Sequence, residues 1–66
     1  MKNEDQLSTK TLVRNTVSAF RNGYIGTEQA LSAIDFAAKL GDSEAQALLE
    51  KCRKEAADVV LIEWEG

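Results

Sequence analysis

Apolar residues recur at helical spacing along most of this chain. The first stripe consists of Val13, Val17, Phe20 and Tyr24, at i, i+4, i+7 and i+11. This spacing lines residues up on one face of an α-helix. We predict a first helix over about 9–22. Gly23 and Gly26 follow it and predict a turn, because glycine readily adopts the left-handed conformation that ends helices.

Two further stripes predict a pair of helices joined at Gly41-Asp42-Ser43. One stripe consists of Ala30, Ile34, Ala37 and Leu40, and the other of Ala45, Leu48, Leu49 and Cys52. They predict helices over about 27–40 and 43–62, and Ser43 with Gln46 has the spacing of a capping box. Apolar residues, many of them alanines, cover more than half of the second helix. Such a helix is expected to be central, or to be covered by a second copy of the chain.

The C-terminal tail, residues 58–66, fits two conformations. Val60, Ile62 and Trp64 alternate with Leu61, Glu63 and Glu65 in a period of two, as in a strand. Alternatively the third helix continues to about 62, with Val59 and Val60 in register with Cys52. We favour the helix and keep the extended tail as the alternative.

Together these patterns predict an all-α fold, a small three-helix bundle or helical-hairpin array. The polar residues 1–8 are expected to be a frayed or disordered N-terminus, and 9–66 a single helical domain. The expected core consists of Val13, Val17, Phe20, Leu31, Ile34, Ala37, Leu48, Leu49, Cys52 and Val59.

The length of the chain limits how it can be stabilised. A chain of 66 residues buries only about 60% of the surface that its unfolded form exposes. One cysteine cannot form an intramolecular disulfide, and with no histidine the usual ligands of a zinc site are missing. We therefore expect neither metal nor cofactor, and stabilisation by tight packing and self-association.

The charge and the apolar runs restrict the class of partner. A net charge of −3 opposes binding to a nucleic-acid backbone. The longest apolar run, residues 59–62, is far shorter than the ~20 residues of a membrane span. The first ten residues are polar and do not resemble a secretory signal, so a free cysteine suits a reducing cytoplasm.

Residues with catalytic potential lack the neighbours that catalysis needs. Cys52 has no histidine to activate it, and its position on an apolar stripe predicts a small buried side chain. The carboxylates show no spacing that predicts a catalytic pair, and residues 23–26 lack the pattern of a phosphate-binding loop. We expect no enzymatic activity.

Residues 20–49 resemble one unit of the Sel-type repeat, a relative of the tetratricopeptide repeat. The matching residues are Gly23, Ala30, Ala37, Ala38, Gly41, Asp42, Glu44, Ala45, Gln46 and Leu49. The second helix lacks the Leu-Gly pair of such units, since Leu48 is followed by Leu49. The resemblance implies a helical hairpin with closely stacked helices, and it implies protein binding.

These observations predict a small non-catalytic protein-interaction module, a regulator or inhibitor that binds a larger protein and forms a homo-oligomer. The residues expected to bind a partner are Phe36, Val60, Ile62 and Trp64. The alternative is a nucleic-acid-associated regulator that uses the third helix, where Lys51, Arg53 and Lys54 form a basic cluster between acidic neighbours.

Overall fold

The computed structural model describes the backbone of residues 3–65 and the side chains of residues 9–65. The regular structure in this range consists of four α-helices. In chain order they are α1 (Asn3–Arg21), α2 (Thr27–Lys39), α3 (Ser43–Lys54) and α4 (Ala57–Glu63). The all-α fold is therefore confirmed, with four helices where the sequence predicted three.

Helix α1 begins six residues earlier than predicted, at Asn3. Of the segment 1–8 that was expected to be frayed or disordered, residues 1 and 2 lie outside the described residues. The backbone of residues 3–8 is helical, and the expected fraying of these residues stays a prediction.

Two glycines end α1 and α2 in the same way. Gly23 and Gly41 have positive φ angles of 84° and 104°, which only glycine adopts without strain. At the end of α1, Tyr24 N–H donates to Ala19 O at 2.9 Å and Gly23 N–H donates to Phe20 O at 3.1 Å. The same pair of bonds recurs around Gly41. This is the Schellman arrangement, and it satisfies carbonyls that the helix end leaves free.

The start of α3 differs from the predicted capping box of Ser43 and Gln46. The N-cap residue is Asp42, whose Oδ1 accepts a hydrogen bond from Ala45 N–H at 3.0 Å. Gln46 instead donates from Nε2 to Ala38 O of α2 at 3.0 Å. The prediction was wrong because the side chain of Gln46 reaches the neighbouring helix, which local spacing does not reveal.

Helix α2 packs against both α1 and α3 and contributes four of the eleven buried apolar residues of the described chain, more than any other helix, so it is the central one. Ala30, Ile34 and Ala37 on α2 are completely buried, and the small alanines allow neighbouring helices to approach closely. Helix α4 packs against α3 and α1 and so covers the side of the core that the first three helices leave open. The buried apolar residues are Val13, Val17, Ala30, Ile34, Ala37, Ala38, Ala45, Leu48, Cys52, Val60 and Leu61.

A break at Glu55 and Ala56 corrects the prediction of one helix over 43–62. Both residues have extended backbone conformations, with ψ angles of 177° and 119°. In an unbroken helix Leu61 would lie about 180° around the axis from Cys52, given 100° per residue. The break allows both to be buried. The tail is helical as far as Glu63. Trp64, the next residue, has an extended backbone conformation.

The break also accounts for the errors in the expected core. Six of the ten expected residues are buried, and Phe20, Leu31 and Leu49 are partly buried against the core. Val59 is 47% exposed, whereas Val60 and Leu61, which were not expected in the core, are 4% and 0% exposed. The change in helix direction rotates the buried face of α4 by one position.

The neighbouring valines of α4 provide a matched test of this arrangement. We expect Val60→Ala to lower the free energy of unfolding by about 2 kcal/mol, because it removes buried methyl groups and leaves a cavity. Val59→Ala should change it by less than about 0.5 kcal/mol, as is usual for surface positions. Urea unfolding followed by circular dichroism measures both. A larger loss for Val59→Ala would show that the unbroken helix is correct.

Candidate protein-interaction surface

An open groove lies between α1 and the C-terminal end of the chain. Its volume is about 980 Å³. One wall belongs to α1 and the other to α4 and the two residues after it. The lining residues are Arg14, Val17, Ser18, Arg21, Asn22, Ile62, Glu63, Trp64 and Glu65. We refer to this feature as the α1–α4 groove.

Arg21 joins the two walls at one end of the groove. Its Nε donates to the carbonyl oxygen of Leu61 at 3.1 Å, and its Nη2 donates to the carbonyl oxygen of Trp64. These carbonyls belong to the end of α4, where a helix leaves acceptors free and carries partial negative charge. The guanidinium therefore satisfies the acceptors and compensates the charge, and it holds the end of α4 against α1.

The two walls of the groove carry opposite charges. Arg14 and Arg21 lie on the α1 wall, and Glu63 and Glu65 lie on the other. Within residues 9–65, whose side chains are described, the ion pairs are Lys39–Asp35 at 3.1 Å and Lys54–Glu50 at 3.8 Å. The charges of the groove walls are thus not paired with one another. Ile62 and Trp64 provide its apolar surface.

The structure separates the four residues that were expected to bind a partner. Ile62 is 58% exposed and Trp64 is partly buried, and both line the α1–α4 groove. Phe36 is also 58% exposed, but it lies on α2 and does not line the groove. Val60 is buried in the core and cannot contact a partner, so its inclusion was wrong. Its predicted register with Cys52 had already indicated the buried face of the third helix.

Phe36 belongs to a second apolar surface, which the sequence indicated only in part. Ala33, Phe36 and Leu40 lie at i, i+3 and i+7 on the outer side of α2, and we call them the α2 stripe. Leu40 is 59% exposed. Large apolar residues at this spacing on an exposed helix face are the anchors that amphipathic helices insert into hydrophobic grooves of other proteins. Leu40 was expected on the same stripe as Ala37, which is buried, and this was wrong. Its position four residues after Phe36 could have indicated the exposed face instead.

Cys52 lies beside a shallow hollow between α2 and α3. Leu31, Asp35 and Arg53 are among the residues that line it. The thiol is buried, and this burial raises the pKa of Cys52 above its ordinary value of 9.0. A nucleophilic cysteine requires a lowered pKa. In addition, the side chains of residues 9–65 contain no group of three histidine, cysteine or acidic residues that could hold a metal ion.

The basic cluster at the end of α3 lies among acidic side chains. Lys51, Arg53 and Lys54 are all exposed. Lys54 forms an ion pair with Glu50, and Glu55 follows directly. Positive residues in the last turn of a helix also interact favourably with its dipole. A local structural role therefore accounts for this cluster, and no geometry of the described residues favours a nucleic-acid interface there.

Comparison with known proteins adds no relative to this picture. Neither a protein-family model, nor a curated protein, nor a solved structure matches the chain. Among the described residues, no helix has the length and apolar character needed to cross a membrane.

Replacement of Arg21 tests whether its side chain holds α4 in place. We expect Arg21→Ala to lower the free energy of unfolding by about 1 kcal/mol, as for a partly exposed bond to a charged donor. It should also make Trp64, the single tryptophan, more accessible to acrylamide, as fluorescence quenching measures. Lys51→Ala on α3, outside the groove, is the control and should change neither quantity. Both variants are measured at a concentration where the chain is monomeric. Equal quenching in the two variants would contradict this role.

The raised pKa of Cys52 makes stability depend on pH at high pH. Above pH 9 the unfolded chain loses the thiol proton more readily than the folded chain, so the free energy of unfolding should fall. At pH 7, Cys52→Ala should lower it by about 1 kcal/mol through lost packing. Urea unfolding in reducing agent should show this difference shrinking between about pH 8 and pH 10. A difference that stays constant over that range would contradict burial of the thiol.

Proposed function

We propose that this chain is a small, non-catalytic protein-interaction module, a regulator or inhibitor that binds a larger protein and also self-associates. The observation that carries the proposal is the exposure of large apolar side chains on helices whose opposite faces form the core. Phe36 and Leu40 on α2 and Ile62 on α4 are each more than half exposed. Removing such side chains from water by binding a partner is favourable.

The α2 stripe is the surface that we assign to the larger partner. It lies on the central helix, whose position is held by packing on both sides, so Phe36 and Leu40 are presented without folding of a loop. A rigid binding element loses little conformational entropy on association. The Lys39–Asp35 ion pair on the same helix provides charged groups beside the stripe. We therefore expect an apolar groove with a polar rim on the partner.

Other features support the same class of function. The resemblance of residues 20–49 to a Sel-type repeat unit points to protein binding. The free thiol of Cys52 suits a reducing compartment, and we place the activity in the cytoplasm. A chain with so small a core also benefits from association, because binding to the folded state stabilises it.

A photo-crosslinking experiment tests the assignment of the α2 stripe. We expect benzoylphenylalanine at position 36 to give one major adduct in extracts of the native host, identifiable by mass spectrometry. Position 24 is the matched control, because Tyr24 is an aromatic residue that is 80% exposed in the turn before α2. Position 24 should not give the same adduct.

The identified protein is then purified and titrated with variants of the chain. Phe36→Ala should weaken binding about 30-fold or more, as for a central interface residue, whereas Tyr24→Ala should change it less than about twofold. Circular dichroism must show equal helix content in both. Equal affinities of the two variants would contradict the assignment. A mass of 7.2 kDa in sedimentation at every concentration from micromolar to millimolar would separately contradict self-association.

A further inference from the structure

We infer that the α1–α4 groove is the surface through which two copies of this chain associate around a two-fold axis. The basic wall of each copy then faces the acidic wall of the other, with Ile62 and Trp64 in the centre. This inference rests on the self-association in the proposed function and specifies its surface and symmetry. It does not involve the α2 stripe, which remains free for a larger partner.

Charge complementarity is the first argument for a second copy as the occupant. A two-fold interface places residue i of one copy against residue j of the other, and j against i. A surface is self-complementary when it carries equal and opposite charges on its two sides. The α1–α4 groove meets this condition, with Arg14 and Arg21 on one wall and Glu63 and Glu65 on the other.

The charges of the groove are available to a second copy. No ion pair within residues 9–65 involves any of these four side chains. Arg21 uses Nε and Nη2 for the carbonyls of Leu61 and Trp64, but a guanidinium has five N–H donors, so it retains capacity for a carboxylate. Arg14 forms no ion pair with the side chains of residues 9–65.

The balance of charges also argues against other occupants. A nucleic acid or a strongly acidic peptide would be attracted by the two arginines but repelled by Glu63 and Glu65. A strongly basic peptide would be attracted by the two glutamates but repelled by the two arginines. A ligand of mixed charge, arranged as the groove itself is arranged, avoids both repulsions. A second copy of the chain has this arrangement.

Apolar contact supplies the centre of the interface. Ile62 is 58% exposed, Trp64 is partly buried, and Val17 lies at the base of the groove. Tryptophan is enriched among residues that dominate interface energetics. A standard interface buries about 800 Å² on each partner, which is less than a fifth of the 4553 Å² surface of this chain.

A pair of charge-reversal variants tests the two-fold arrangement. In Arg14→Glu, and separately in Glu63→Arg, like charges face each other at both symmetry-related positions of a homodimer. We expect each variant alone to have a dimer dissociation constant at least tenfold above that of the wild type. Mixed in equal amounts they should form a heterodimer of near wild-type affinity, because every basic group again faces an acidic one. Sedimentation equilibrium from micromolar to millimolar concentration measures these affinities.

Two controls separate this inference from the wider proposal. Lys51→Glu reverses a charge on α3 outside the groove and should leave dimerisation unchanged. The emission of Trp64 should shift to longer wavelength as the wild type is diluted from dimer to monomer, since its indole becomes wetter. Circular dichroism verifies that each variant is folded. If one reversal prevents folding, Arg14→Gln and Glu63→Gln replace the pair, and each should weaken dimerisation severalfold while Lys51→Gln does not.

The possible results have distinct meanings. A wild-type dimer whose affinity is unchanged in both reversal variants, or whose Trp64 emission is constant on dilution, overturns the groove as the interface but not self-association. A wild type that is monomeric throughout overturns both, and leaves the crosslinking test of the α2 stripe unaffected. Weakened single variants that recover on mixing support the two-fold arrangement.

Discussion

The close packing of α1 and α3 against the alanine-rich face of α2 is the constraint on which this fold depends. Ala30 and Ala37 leave no exposed surface, and their size permits helix backbones to approach closely. Ile34 fills the remaining space between them. Such an approach leaves little volume inside a chain of 66 residues, so a small number of side chains must form the core. The large residues on the opposite side of α2 therefore remain outside.

Helix α4 completes this core after the break at Glu55 and Ala56. Val60 and Leu61 are inserted where α1 and α3 alone would leave apolar surface exposed. Val60 and Leu61 lie in the middle of this seven-residue helix, and Ala57 packs partly against the core. Ile62 is exposed and lines the groove together with Arg14 and Arg21 of α1. The groove between α1 and α4 thus follows from the way these helices pack on the core.

The sequence predicted α2 to within one residue because glycines delimit it at 26 and 41 and because its apolar stripe is regular. The break after Lys54 could not be predicted, since neither glycine nor proline occurs between 42 and 65. The break allows Leu61 to be buried and Arg21 to contact residues 40 and 43 positions away. The same reason explains why Ile62 and Trp64 were found as binding candidates while Arg14 and Arg21 were not. The apolar character of a residue is visible in the local sequence. Which residues of α1 lie opposite it in the groove depends on the tertiary fold.

The order of the helix contacts has a consequence for folding. The contacts of α1 with α2, α2 with α3 and α3 with α4 all join neighbours along the chain, and such local topology favours folding in microseconds to milliseconds. The contact between α1 and α4 instead requires closure of a loop of about 40 residues, with the corresponding loss of chain entropy. Local opening of this contact costs less free energy than global unfolding, so amide hydrogens in α4 exchange with solvent sooner than those in α2. We therefore expect α4, which forms one wall of the groove, to dock last on folding and to detach first.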